Sequence, residues 1–194
     1  MKSAAIILAD GFEEIEALAT VDILRRAGIR CDTISLHGPV STGSHGIPVT
    51  ADSPLGENKL EEFDMIIFPG GMPGAANLHD DGRILSLVRE FDKDPEKYVA
   101  AICAAPMVLS AAGITKGRRV TSYPADDFRA YFTDAEYVED ELVVVDGHMI
   151  TSRGPATAFL FAYTLVDILG GDSKVLKQDM LVNLAAEKIR SMDL

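Results

Sequence analysis

Cysteine is nearly absent from this chain of 194 residues, which carries only Cys31 and Cys103. No disulfide framework can be built from two, and the pair fits reduced thiols in a cytoplasmic setting. Tryptophan is missing altogether. Basic residues are outnumbered, 18 against 30 acidic, for a net charge of -12. Without a basic patch to hold phosphates, direct nucleic-acid binding is not expected. Small substrates are not excluded, because local potential can oppose the global sign. Long apolar runs are lacking too. ATAFLFAYTLV at 156–166 is closed by Asp167 and reads as a buried helix, not a membrane span. The opening MKSAAIILADGFEE meets acid too soon for a signal peptide and has no cleavage region. No HExxH, clustered Cys/His set or calcium loop suggests a metal. GGMPGAAN lacks the lysine and spacing of a phosphate loop, and no dinucleotide fingerprint is present, so no cofactor is expected.

What is present alternates. Residues 3–9 are short, apolar and isoleucine-rich, as in a buried strand. EEIEALATVDILRRAG has helical spacing, with Ile15, Leu18, Ala19, Asp22 and Ile23 marking the turns and Gly28 a natural stop. Strands are predicted at 29–36, 63–71 and 98–102, with one or two short ones around 47–50. Helices are predicted at 81–91 and 104–113. A short strand near 119–122 precedes a hairpin in ELVVVDGHMITS, where Asp146-Gly147 suits a tight turn. A helix at 156–169 and a final amphipathic one over much of 173–190 complete the chain. The length suits one domain over 1–194, and the alternation favours a three-layer α/β architecture.

In such sheets ligands collect beyond the carboxyl ends of the strands. Three strand ends there carry chemistry: ADGFEEIE, FPGG and AICAAP. Cys103 sits where a strand gives way to a helix, a junction that can expose sulfur as a nucleophile elbow and favour its thiolate. A packed, inert cysteine suits the same place. Gly70-Gly71 reads equally as a tight turn or as backbone N–H groups open to a ligand. With the Ala104 N–H these could hold an oxyanion. Glu16 falls about 100 degrees round the helix from the face of Ile15 and Ala19, at the edge of the expected buried stripe. Near a thiolate its carboxyl group would be pushed toward the protonated form. Arg153, before Gly154-Pro155, suits either an anion contact or a plain salt bridge. Cys31 lies inside a strand and reads as a core residue. His37, His45, His79 and His148 sit in no motif that points to Cys103, and His79 is placed at the start of a polar loop.

The segments EEIEALATVDILRRAGI (13–29), DMIIFPGG (64–71), AAICAAP (100–106) and TSRGPATAF (151–159) together resemble the ThiJ/PfpI superfamily, in the branch of the parkinsonism-associated protein deglycase and its bacterial relatives. The likeness runs along nearly the whole chain. It implies a flavodoxin-like α/β sandwich with a mostly parallel sheet, and a homodimer. It implies a nucleophile elbow at Cys103, a protonated partner at Glu16, and backbone donors at Gly71 and Ala104. Gly70 and Arg153 would line the pocket. The implied activity is a glutathione-independent glyoxalase or deglycase acting on methylglyoxal and related 2-oxoaldehydes, or on glycated adducts. The alternative is a redox-sensing or chaperone stress protein using an oxidisable Cys103. Two departures stand out. Tyr123 replaces a histidine that some relatives carry, which weakens a Cys-His triad. His45 replaces an arginine, which weakens a two-arginine anion site.

Overall fold

The structure, a computed structural model, describes residues 2–57 and 59–192. Eleven strands are assigned among them: β1 Ser3–Leu8, β2 Arg30–Ser35, β3 Val40–Thr42, β4 Pro48–Thr50, β5 Ser53–Pro54, β6 Met65–Phe68, β7 Tyr98–Ile102, β8 Arg119–Val120, β9 Glu136–Tyr137, β10 Val143–Asp146 and β11 Met149–Ser152. The helices are α1 Glu14–Arg26, α2 Gly74–His79, α3 Gly82–Lys93, α4 Pro106–Ala112, α5 Asp126–Arg129, α6 Ala158–Ile168, α7 Ser173–Asp179 and α8 Val182–Arg190.

Seven strands form one sheet in the order β10-β11-β7-β6-β1-β2-β5. All neighbours run parallel except the β10–β11 hairpin. β3–β4 and β8–β9 are separate two-stranded ribbons. The central strands are apolar on both faces because helices cover both. Ala5, Ile7, Ile66 and Phe68 pack under α2, α3 and α4 with Leu78, Val88 and Val108. Ala4, Ile6, Met65 and Ile67 face α1 and α6 with Leu24, Phe161 and Leu165. This is the expected flavodoxin-like α/β sandwich. From β1 the chain crosses to β2 on one side, and β6 lies on the other. The strand order therefore reverses between β1 and β6, and the crevice beyond their carboxyl ends is the place where such sheets bind ligands.

Four local expectations are corrected. α1 is rotated: Glu16, Ala17, Thr20, Val21, Ile23 and Leu24 are buried, while Ile15 and Leu18 are exposed. The core tolerates the polar pair because Thr20 Oγ1 donates to Glu16 O at 2.7 Å and Glu16 has its own partner across the crevice. Residues 74–79 form a helix, so His79 ends a helix and does not begin a loop. The hairpin turns on Gly147-His148, since Asp146 still pairs with Met149; Gly147 at φ 60 takes the first central position that glycine favours in such turns. The terminal helix is broken in two. Met180 packs on the core and accepts a hydrogen bond from the Tyr163 hydroxyl, and Leu181 at φ 60 then redirects the chain into α8. Among the described residues no helix is long and apolar enough to cross a membrane.

Candidate active site

Cys103 follows β7 and precedes α4. Its φ of 64 is left-handed, which is uncommon for a residue with a side chain. A strain of about 1–3 kcal/mol needs surroundings that impose it. Two hydrogen bonds do so: Cys103 N–H donates to Ser152 O at 3.0 Å, and Tyr123 N–H donates to Cys103 O at 2.8 Å. The turn is thereby pinned to β11 on one side and to the 121–125 segment on the other. Pro106 occupies the first turn of α4, where its missing N–H costs nothing. The side chain is partly exposed, and the backbone N–H groups of Ala104 and Gly71 favour the charged form of its sulfur.

Glu16 enters from the first turn of α1 and is fully buried. Its Oε2 accepts the Gly70 N–H at 2.7 Å. Oε1 has no hydrogen-bond partner among the described residues; the Cys103 side chain lies on the same side of Gly70 as the carboxyl group. Gly70 is the joint between these parts. A Cβ there would lie 2.6 Å from Cys103 Cβ, 2.8 Å from Glu16 Oε2 and 2.9 Å from Ala104 N. Gly70 O also accepts the Glu13 N–H at 2.8 Å, so its peptide ties the start of α1 to the end of β6 from both sides. Gly71, at φ 87, is pressed against the backbone of Gly11 to Glu13. Gly70→Ala is therefore expected to lose at least about 2 kcal/mol of stability through overpacking. It should also displace the sulfur from Glu16. Denaturant unfolding and alkylation rates check this, and a variant of native stability with native Cys103 reactivity would refute the packing argument.

Burial chiefly, with some help from the charge of Glu13, pushes the Glu16 carboxyl up to about 7 against the opposing hydrogen bonds from Cys103 and Gly70. Burial and then the negative charge of Glu16 push the Cys103 thiol up, while the Ala104 and Gly71 N–H groups pull it down. The expectation that the helix start alone would free the thiolate does not hold, because burial outweighs it. Two anions are costly in one buried place, so the pair is stable with a single negative charge and one proton between its members.

Arg153 follows Ser152 directly, but its guanidinium is engaged elsewhere. Nη1 donates to Glu139 O, and at 3.4 Å to Val138 O and Thr121 Oγ1. It lines a cleft of about 190 Å³ with Pro124, Arg129, Tyr137 and Glu139, in which neither Cys103 nor Glu16 takes part. The structure thus gathers Glu16, Gly70, Gly71, Cys103 and Ala104, and leaves Arg153 beside them. Cys31 is buried in the core, and burial pushes its thiol up to about 12, as befits an inert cysteine. The histidines pair elsewhere: His45 with Glu14, His79 with Asp80, His148 with Asp92. Sequence reasoning missed the Ser152 carbonyl and the Tyr123 N–H. Both act through the backbone, which leaves no mark on residue type.

Fold and site define an α/β protein that presents a strained cysteine and a buried carboxyl group at the switch point of a parallel sheet. Its relatives are of one kind. The DJ-1/PfpI family profile matches residues 2–168. Protein dj-1beta of Drosophila melanogaster is 38% identical over 175 residues, 90% of this chain and 92% of that one. Its crystal structure matches with a TM-score of 0.88 at 35% identity, covering 93% of this chain and 97% of that one. A DJ-1 superfamily protein from Salmonella typhimurium, solved as a mutant with alanine in place of a cysteine, matches at 0.85 with 38% identity over 94% and 98% of the two chains. A Pyrococcus abyssi protein named a deglycase is 32% identical over 165 residues, 84% of this chain and 97% of its own length. The chain belongs to the DJ-1/PfpI family of the ThiJ/PfpI superfamily, in the branch of DJ-1 and the deglycases.

Proposed function

We propose that the chain is a glutathione-independent glyoxalase of deglycase type, acting on methylglyoxal and related 2-oxoaldehydes through Cys103. The observation that carries this reading is the buried Glu16 carboxyl group facing a strained, partly exposed cysteine at the sheet's switch point. The Cys103 thiolate attacks the aldehyde carbon. A C–S bond forms, the carbonyl electron pair moves to oxygen, and the Gly71 and Ala104 N–H groups steady that charge. Glu16 gives its proton to the oxygen, leaving a hemithioacetal. As a carboxylate it then takes the proton from the former aldehyde carbon and returns it to the neighbouring carbon by way of an enediol. The first carbon is oxidised to a thioester and the second reduced to an alcohol, so no external electron acceptor is required. Water cleaves the thioester, releasing lactate and the thiolate, with one of its protons returning to Glu16 and the other going to solvent. Adducts of the same dicarbonyls on protein side chains present a related carbon to the same sulfur, and a deglycase name on the archaeal relative supports that extension. Purified protein incubated with methylglyoxal and no glutathione is expected to release lactate; none above background would overturn the reading.

We read residues 1–194 as one cytoplasmic domain that works as a homodimer. Leu24 and Ile29, apolar residues in and just after the first helix, are buried in the core and offer no dimer surface. Support comes instead from Ile15 and Leu18 on α1 and Phe159 and Leu160 on α6, exposed on helices that pack against each other. Light scattering across a concentration series should report twice the chain mass, and a constant monomer mass would reject the dimer.

A further inference from the structure

A second set of reactive side chains lies at the start of α1, on the side of the 43–47 loop. Glu13 Oε2, Glu14 Oε2, His45 Nδ1 and Ser44 Oγ converge there. His45 Nδ1 lies 2.9 Å from Glu14 Oε2 and 3.5 Å from Glu13 Oε2. Ser44 Oγ lies 3.3 Å from Glu13 Oε2, 3.4 Å from Glu14 Oε2 and 3.2 Å from His45 Nδ1. The ligand atoms of Glu13, Glu14 and His45 all fall within 4.8 Å of one another. Four donors around a tetrahedral zinc ion, with bonds of about 2.0–2.1 Å, stand about 3.3 Å apart. Five of the six separations here straddle that value.

We propose that Glu13, Glu14 and His45 form a binding site for a tetrahedral divalent cation, with zinc as the best match and the Ser44 hydroxyl or a water as fourth ligand.

The set is more than an acidic patch. It joins two carboxylates to an imidazole, the mixed oxygen and nitrogen donors that zinc takes. Both carboxylates are taken out of water, Glu13 at 8% and Glu14 at 5% exposure. Among the described residues no lysine or arginine pairs with either, and the sole cationic candidate is His45. Two adjacent buried anions need a counter-charge, and a dication with neutral histidine and serine balances them. The supporting shell is built. Glu14 Oε1 accepts the His45 N–H at 2.8 Å, which fixes the carboxylate and leaves Oε2 turned toward the imidazole. Ser44 N–H donates to Phe12 O at 2.8 Å, holding the loop against the same segment. Glu14 fills the space a side chain on Gly43 would need, so the loop is moulded around it. His45 itself is exposed, which gives an ion a way in. No linear motif announces the site, because its donors lie on two segments brought together only by the fold. An ion there would staple the 43–47 loop to the turn that also carries Glu16.

The test is titration of the untagged full chain with zinc, followed by calorimetry, and with cobalt(II), followed by its visible spectrum. One equivalent per chain is expected, with the strong d–d absorption of tetrahedral cobalt and no sulfur charge-transfer band. Binding should persist in Cys31→Ala/Cys103→Ser and weaken at least about tenfold in His45→Ala, whose exposed side chain can be removed without disturbing the core. Glu13→Gln should weaken it similarly. Loss of binding in the cysteine-free variant, unchanged affinity in His45→Ala, or no saturable binding at all would each overturn the proposal. None of these readouts depends on dicarbonyl turnover.

Discussion

Cys103→Ser is expected to cut methylglyoxal turnover by at least about a thousandfold while leaving the fold intact. The size follows from the role: a serine hydroxyl is far less acidic than a thiol, and a carboxylate is too weak a base to ionise it. Glu16 is pushed up to about 7 chiefly by burial, and among the described residues no histidine pairs with Cys103 or Glu16. The backbone is indifferent to the change, because φ 64 at residue 103 is imposed by Ser152 O and the Tyr123 N–H, neither of which touches the side chain. Unfolding free energy should change by less than about 1 kcal/mol, as for a near-isosteric swap. Lactate release and denaturant unfolding measured on the same preparation separate lost chemistry from lost structure. Turnover within tenfold of the parent would remove Cys103 as the nucleophile.

Glu16→Gln is expected to stabilise the protein at pH 8 by up to about 3 kcal/mol while lowering turnover by about a hundredfold or more. The folded pKa of about 7 lies above the ordinary 4.5. Below pH 4.5 the carboxyl group is protonated in both folded and unfolded chains and has no effect. As pH rises from 4.5 through 7 the unfolded chain gives up its proton while the folded chain keeps it, so stability falls across that window and stays reduced above it. Glutamine retains an acceptor for the Gly70 N–H and has nothing to ionise. The variant should match the parent near pH 4 and pull ahead as pH rises. Urea denaturation at pH 4 and pH 8 tests this. Equal stability at both pH values would mean that Glu16 ionises without penalty in the folded protein. The expected gain of stability with loss of turnover identifies the buried carboxyl group as a functional expense.

The strands and their layer order were legible because burial on both faces forces unbroken apolar runs such as SAAIIL, MIIF and YVAAI, whose ends mark the strand termini. Cys103 and Gly70-Gly71 were legible for the same reason, since each sits at such an end. The phase of α1 was not. Periodicity set Ile15 on the buried face, but a glutamate and a threonine displaced it once Gly70 N–H and a local backbone bond satisfied their polar atoms. That information lies 54 residues away in the chain. The break at Leu181 was hidden for a similar reason, because α7 and α8 together keep one helical pattern while Met180 is drawn to Tyr163. The direction of the Cys103 pKa was also out of reach. A strand-to-helix junction suggests an activated thiol, and only the packed site shows how strongly burial and Glu16 oppose it.

The account rests on a single negative charge and a single proton held between Cys103 and Glu16, with the charge resting on Glu16 and the proton passing to it as the sulfur attacks. The most direct measurement is the thiolate absorbance of Cys103 against pH in a Cys31→Ala background, with and without Glu16→Ala. A charged Glu16 repels the thiolate and pushes the thiol up, so its removal should lower the pH at which the Cys103 thiolate appears. A Glu16 that stayed protonated would donate to the thiolate and stabilise it, and its removal would raise that pH. A downward shift in Glu16→Ala is the predicted result; an upward shift would contradict a pair whose first charge sits on Glu16.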